Sequence, residues 1–163
     1  MTSRHGQVLI VKPLIVIAGI SLVMMMTLAS VVSVASAQLS GTIASIQNGN
    51  NGMPEWILSG GWDFKDINSS SPDFGSTFHM QLLNGTLLHK HIISDFKMIG
   101  SPTKSGMATT YNGTADLTFK GGTLLTSVPI SIKLMGSAIS LWFDPTRTMG
   151  HFGNTPIYGF VNK

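Results

Sequence analysis

Apolar and polar residues alternate with a period of two along most of the chain after residue 38, as in strands that bury one face. The clearest run spans residues 107–120, where one face is mainly apolar and the other, including Asn112, is almost wholly polar. No window after residue 38 keeps apolar residues at helical spacing for three turns. The pattern therefore predicts an almost entirely β domain.

About eight alternating runs are predicted as strands, with Gly, Pro, Asn and Asp between them. They are 41–47, 55–64, 74–83, 86–99, 107–120, 128–134, 139–143 and 157–161. Gly60-Gly61 inside the second run predicts a bulge or a sharp bend. This number and spacing are typical of a single antiparallel β-sandwich or small barrel, and the pattern leaves that choice open.

The first 37 residues are organised like an export signal. A basic start is followed by an uncharged apolar run over 14–34 and by the small-x-small site Ala35-Ser36-Ala37. We therefore expect a signal peptide over 1–37, with a hydrophobic export helix, and one secreted β-domain over 38–163. The alternative is an uncleaved membrane anchor, since about 20 apolar residues can cross a bilayer. Both interpretations place the domain outside the cytoplasm, secreted or at the cell surface.

Charge and cysteine content narrow the classes of partner and chemistry. Without the N-terminal Arg4 and Lys12, eight Lys and Arg residues remain against seven Asp and Glu residues. Such a nearly neutral domain lacks the clustered basic side chains that bind a phosphate backbone, so nucleic acid is not an expected partner. The absence of cysteine excludes disulfides and thiol catalysis.

Three sequons fit an exported glycoprotein. They begin at Asn68, Asn84 and Asn112. An export-linked glycosylation system would find its acceptor asparagine at each of them.

The segment 74–99 carries most of the candidate chemistry, because Asn84-Gly85 separates two alternating runs and predicts a tight hairpin. A two-residue loop would put His89 and His91 on one face and His79 on the other. A three-residue loop, with its glycine in the left-handed conformation, would put all three histidines on one face. The register therefore decides what the histidines can do.

Burial favours the three-residue loop. The two-residue loop would bury His89 and His91 among apolar side chains, where imidazoles need hydrogen-bond partners. The three-residue loop leaves Lys90 as the main misfit on an otherwise apolar face, composed of Phe74, Phe78, Met80, Leu82, Leu88, Ile92, Phe96 and Met98. We therefore predict the three-residue register.

Three imidazoles on neighbouring strands suit Zn²⁺ or Cu²⁺, with a fourth coordination position open. The predicted ligands are His79, His89 and His91, with Asp95 as a fourth ligand or as an acceptor that orients a ring. The alternative is a set of solvated strand histidines. His151 follows Gly150 in a loop and is interpreted as a turn residue or hydrogen-bond anchor in preference to a further member of the metal site.

The chain contains no nucleophile elbow, no phosphate-binding loop and no local pair of carboxylates, which favours a non-catalytic role. We expect an exported β-domain that binds an unknown partner or has a structural role at the cell surface, with a histidine-bound metal as its candidate cofactor. One alternative is a metal-dependent extracellular enzyme that uses the open position. Another is a lipocalin-like carrier with an apolar cavity.

A resemblance supports the expected location. The C-terminal run from Asp144-Pro145 through His151-Phe152-Gly153 to Tyr158-Gly159-Phe160-Val161, with Asn84-Gly85-Thr86 and His89-Lys90-His91, resembles small exported proteins of ammonia-oxidising archaea (Thaumarchaeota). The resemblance covers most of the chain after residue 37. It implies an exported β-domain and assigns neither an activity nor catalytic residues.

Overall fold

The computed structural model describes residues 37–49 and 51–162, which form nine strands. The predicted export helix over 14–34 lies outside these residues and stays a prediction. Among the described residues no helix is long and apolar enough to cross a bilayer. The strands are β1 (Leu39–Asn48), β2 (Pro54–Lys65), β3 (Asp73–Leu82), β4 (His89–Met98), β5 (Thr103–Ser105), β6 (Ala108–Thr118), β7 (Leu124–Met135), β8 (Ala138–Phe143) and β9 (Ile157–Val161).

Eight of these strands close an antiparallel up-and-down barrel. β1 to β4 pair in sequence order, β6 to β9 do the same, and closure comes from the pairs β4–β6 and β9–β1. The three-residue β5 adds to the end of β6. Closure gives each of the eight barrel strands a neighbour on both sides, and a barrel of eight strands is narrow enough for side chains to fill it. The eight predicted strands are confirmed, and the architecture is a barrel.

The period-two alternation determines which side chains enter the barrel. In β6, Tyr111 and Leu117 are buried while Asn112 is exposed, as predicted. The ring of Phe64 lies 5.3 Å from that of Phe74 and 4.9 Å from that of Tyr111. Phe64 lies near the end of β2 and Phe74 near the start of β3, so these aromatic rings form a packed core toward one end of the barrel.

The predicted bulge at Gly60-Gly61 is wrong. β2 pairs with β1 and β3 through both glycines without a shift in register. A Cβ atom on Gly60 would collide with the backbone of Thr77 and Phe78 on β3, whereas the nearest atom to a Cβ on Gly61 is the Gly41 carbonyl oxygen at 3.6 Å. Gly60 is therefore required for the close approach of two wall strands.

Replacing each of the two adjacent glycines with alanine in turn distinguishes the steric requirement at Gly60 from the general effect of alanine in a strand. We expect Gly60→Ala to lower the free energy of unfolding by about 1–3 kcal/mol, because the methyl group must displace the backbone of β3. Gly61→Ala should change it by less than about 0.5 kcal/mol. Urea unfolding of both variants measures the difference, and equal losses would contradict the assignment.

Candidate functional site

The β3–β4 hairpin takes the register that burial arguments had disfavoured. Met80 pairs with His89, and His79 pairs with Lys90. His79 is therefore exposed on the outer face, while His89 and the fully buried His91 lie on the inner face. The prediction that all three histidines share a face is wrong.

The tip of the hairpin is nevertheless as predicted, and a bulge after it changes the register. Gly85 has a φ of 83°, and the Leu82 N–H donates to the Thr86 carbonyl at 2.9 Å, as in a three-residue loop. Leu87 then adopts a φ of 54°, and regular pairing resumes only at His89. This extra residue shifts the following part of β4 by one position.

A second bulge, at Asp95, shifts β4 by one more position. Residues after it therefore face the sides that the three-residue loop had predicted. Asp95 has a φ of 52°, and the pairing between β4 and β6 shifts between Ser94 and Lys97. Phe96 is therefore buried again. The exposed Asp95 carboxylate lies 2.8 Å from the Lys97 ammonium. The structure does not bring Asp95 to the inward histidines, so its predicted role as ligand or orienting acceptor finds no support.

The third imidazole comes from His151, in the loop that joins β8 to β9. The ligand nitrogens of His89, His91 and His151 all lie within 4.8 Å of one another. The Nε2 atom of His151 is 3.2 Å from the Nε2 atoms of both His89 and His91. The three rings thus form one cluster, with the Nε2 atom of His151 close to those of both other histidines. The sequence offered no signal for this, because residues in a loop have no periodicity that places them.

Backbone carbonyls orient two of the rings. The Nδ1 atom of His89 is 2.7 Å from the Leu87 carbonyl oxygen, and that of His91 is 2.8 Å from the Thr118 carbonyl oxygen. Because a carbonyl can only accept, each Nδ1 carries a proton and donates it. The Nε2 atom of each neutral ring then presents its lone pair to the cluster. Ligating histidines are commonly oriented in this way.

The surroundings of the cluster are aromatic. The ring of His91 lies 5.3 Å from that of Phe78 and 4.8 Å from that of Phe152, and the ring of His151 lies 4.7 Å from that of Phe119. Burial lowers the pKa of His91, the Thr118 hydrogen bond partly opposes this, and His89 lowers it further. The neutral form of His91, which is the form that binds metal, is therefore favoured.

Hydrogen bonds hold both ends of the loop that carries His151. At its start, the Asp144 carboxylate accepts from the Thr146 N–H at 2.9 Å and hydroxyl at 2.8 Å, and these bonds lower the pKa of Asp144. At its end, the buried Gln47 amide donates to the Pro156 carbonyl at 3.0 Å and accepts from the Thr155 hydroxyl at 2.5 Å. The loop is thus attached to β1 close to the point where it enters β9.

The asparagines of the three sequons are exposed at Asn68, Asn84 and Asn112. The Asn84 side-chain oxygen accepts from the N–H of Thr86 at 3.0 Å and from its hydroxyl at 2.7 Å, within the hairpin loop. Glycosylation stays a prediction that depends on export.

Comparison of the chain with protein-family models, curated proteins and solved structures finds no match. The resemblance to exported archaeal proteins therefore stays a prediction, as do secretion and location. Any interpretation of the histidine cluster depends on its own geometry.

Replacing Gln47 should show how strongly the loop depends on its attachment. Gln47→Leu leaves the Pro156 carbonyl and the Thr155 hydroxyl without their partner, so we expect the free energy of unfolding to fall by about 1–3 kcal/mol. Asn48→Leu makes a matched change at the next, exposed position and should alter it by less than about 0.5 kcal/mol. Chemical denaturation measures both, and a neutral Gln47→Leu would show that the attachment is dispensable.

Proposed function

We propose that the barrel binds a divalent transition metal ion, Zn²⁺ or Cu²⁺, through the Nε2 atoms of His89, His91 and His151. The supporting observation is the convergence of these three atoms, with two separations of 3.2 Å. A tetrahedral ion with bonds of about 2.0–2.1 Å holds its ligand nitrogens about 3.3–3.4 Å apart. These two separations are close to this spacing. The third pair, His89 and His91, is bounded only by the 4.8 Å that encloses all the ligand nitrogens, so binding draws these two rings closer together.

The proton positions favour a cation over a network of hydrogen bonds between the rings. In their neutral forms His89 and His91 both direct a lone pair toward the Nε2 atom of His151, because the carbonyl contacts place their protons on Nδ1. One proton on that atom of His151 can point well at one lone pair at a time. An ion at the centre contacts all three nitrogens.

The donor set suits particular metals. Imidazole nitrogen is a ligand for zinc and copper, whereas Ca²⁺ and Mg²⁺ prefer oxygen. Among the described residues, the cluster contains no carboxylate. Three protein ligands leave a fourth position of a tetrahedral ion open, and this open position supports the second candidate function, a metal-dependent extracellular enzyme.

We place this metal site in an exported domain, secreted or attached to the cell surface, with a binding or structural role. The support for export is the basic, apolar and small-residue organisation of the first 37 residues. A carrier with a ligand in the centre of the barrel is less well supported, because fully buried side chains such as Leu58, Ile93 and Ile132 belong to one packed core cluster.

Metal titration of histidine variants tests the proposed site. We expect His151→Ala and His89→Ala each to weaken Zn²⁺ binding by at least about 100-fold, since loss of a ligand should cost more than loss of an outer-shell partner. His79→Ala makes the same change on the outer face of the adjacent strand and should leave the affinity unchanged. Isothermal titration calorimetry measures these affinities. Equal binding by the wild type and His151→Ala would refute the site.

A further inference from the structure

An open pocket adjoins the histidine cluster. Its volume is about 340 Å³, and it is lined by Trp56, Leu87 and Leu88 together with His89 and His151. This volume lies at the lower end of the range for small-molecule sites. Two of the three proposed metal ligands thus face the same pocket. A ligand from solution that enters this pocket would therefore reach the side of the cluster formed by His89 and His151.

A second pocket nearby is a weaker candidate for the same ligand. Its volume is about 320 Å³, and His151 is the one proposed ligand among its lining residues. Its lining also includes the amide of Gln47 and the carboxylate of Glu55. A carboxylate there would repel an anion near the metal, so we assign the ligand to the first pocket.

The outer part of the first pocket is apolar and exposed. Leu87 and Leu88 are 64% and 62% exposed, and the ring of Trp56 lies 5.8 Å from that of His89, edge to face. Apolar side chains grouped beside a few directed polar groups are typical of ligand sites. The bulge at Leu87 therefore both turns His89 inward and presents apolar side chains next to it.

Charge selects the class of ligand. Three neutral imidazoles bring no negative charge to the ion, and no carboxylate belongs to the described cluster; the Glu55 carboxylate lines the second pocket and not the first. The neighbouring rings of Phe119 and Phe152 are apolar, so the positive charge of the ion is poorly solvated on that side. An anion at the open position would neutralise part of it.

We infer that the metal-loaded pocket binds a small monocarboxylate with an apolar body. The carboxylate oxygen occupies the open position of the ion, and the body packs against Trp56 and Leu88. This inference rests on the proposed function, because without a metal the pocket offers no centre that attracts the carboxylate.

Co²⁺ in place of Zn²⁺ gives a visible absorption band that reports its coordination. The full-length protein, loaded with Co²⁺, is titrated separately with benzoate and with acetate. Both anions should change the band, and benzoate should bind about tenfold more tightly because its ring buries apolar surface that acetate lacks.

Leu88→Ala should weaken benzoate binding about threefold to tenfold while leaving acetate and Co²⁺ binding unchanged, because it shortens only the apolar lining. Leu83→Ala is the matched control. Leu83 lies in the same hairpin, is 51% exposed and does not line the pocket. This variant should bind both anions like the wild type.

The outcomes separate the two proposals. Failure of the wild type to bind Co²⁺ refutes the metal site, and the carboxylate pocket falls with it. Binding of Co²⁺ without a response to either anion at millimolar concentration overturns the pocket and leaves the metal site standing. Equal affinities for benzoate and acetate, or equal effects of Leu88→Ala and Leu83→Ala, overturn the role assigned to the apolar lining.

Discussion

The register of β4 depends on one residue, Leu87, whose backbone is left-handed. A shift of one residue exchanges the two faces of a strand, so this bulge determines that His89 and His91 enter the barrel. A side chain in the left-handed region costs about 1–2 kcal/mol. The same residue helps to offset that cost, because its carbonyl accepts the hydrogen bond from the His89 ring. The strained residue therefore also fixes the orientation of a proposed ligand.

The energetic reason for this register is the contrast between Lys90 and the histidines. In the alternative register the Lys90 ammonium would enter an apolar interior without a partner, which is among the most costly forms of burial. In the observed register Lys90 is exposed, and the fully buried His91 donates to the Thr118 carbonyl at 2.8 Å. Imidazole can be buried in its neutral form. Burying two histidines therefore costs less free energy of folding than burying one lysine ammonium.

The period-two pattern predicted the eight strands and most of the core, because one buried face imposes alternation on each strand. It failed at the two bulges of β4, where the alternation of inward and outward residues shifts by one position. A pattern cannot show that Leu87 and Asp95 are left-handed, since that conformation is usual for glycine and uncommon for these residues. His89 and His91 were therefore predicted to cluster with His79, whereas the structure places them with His151. His151 was predicted to lie in a loop, but the position of that loop beside β4 could not be predicted, because closure of the barrel, rather than local sequence, brings the two together.

The long sequence separation within the cluster gives a bound ion a consequence for folding. His151 lies 60 residues from His91 and 62 from His89, on a loop that the barrel holds against β4. An unfolded chain rarely brings these rings together, so an ion that needs all three binds the native state selectively. Such an ion at a free concentration one hundred times its dissociation constant stabilises that state by about 2.7 kcal/mol. In a chain without cysteine, the ion would join the β8–β9 loop to the barrel wall much as a disulfide joins distant segments of a small disulfide-bonded domain.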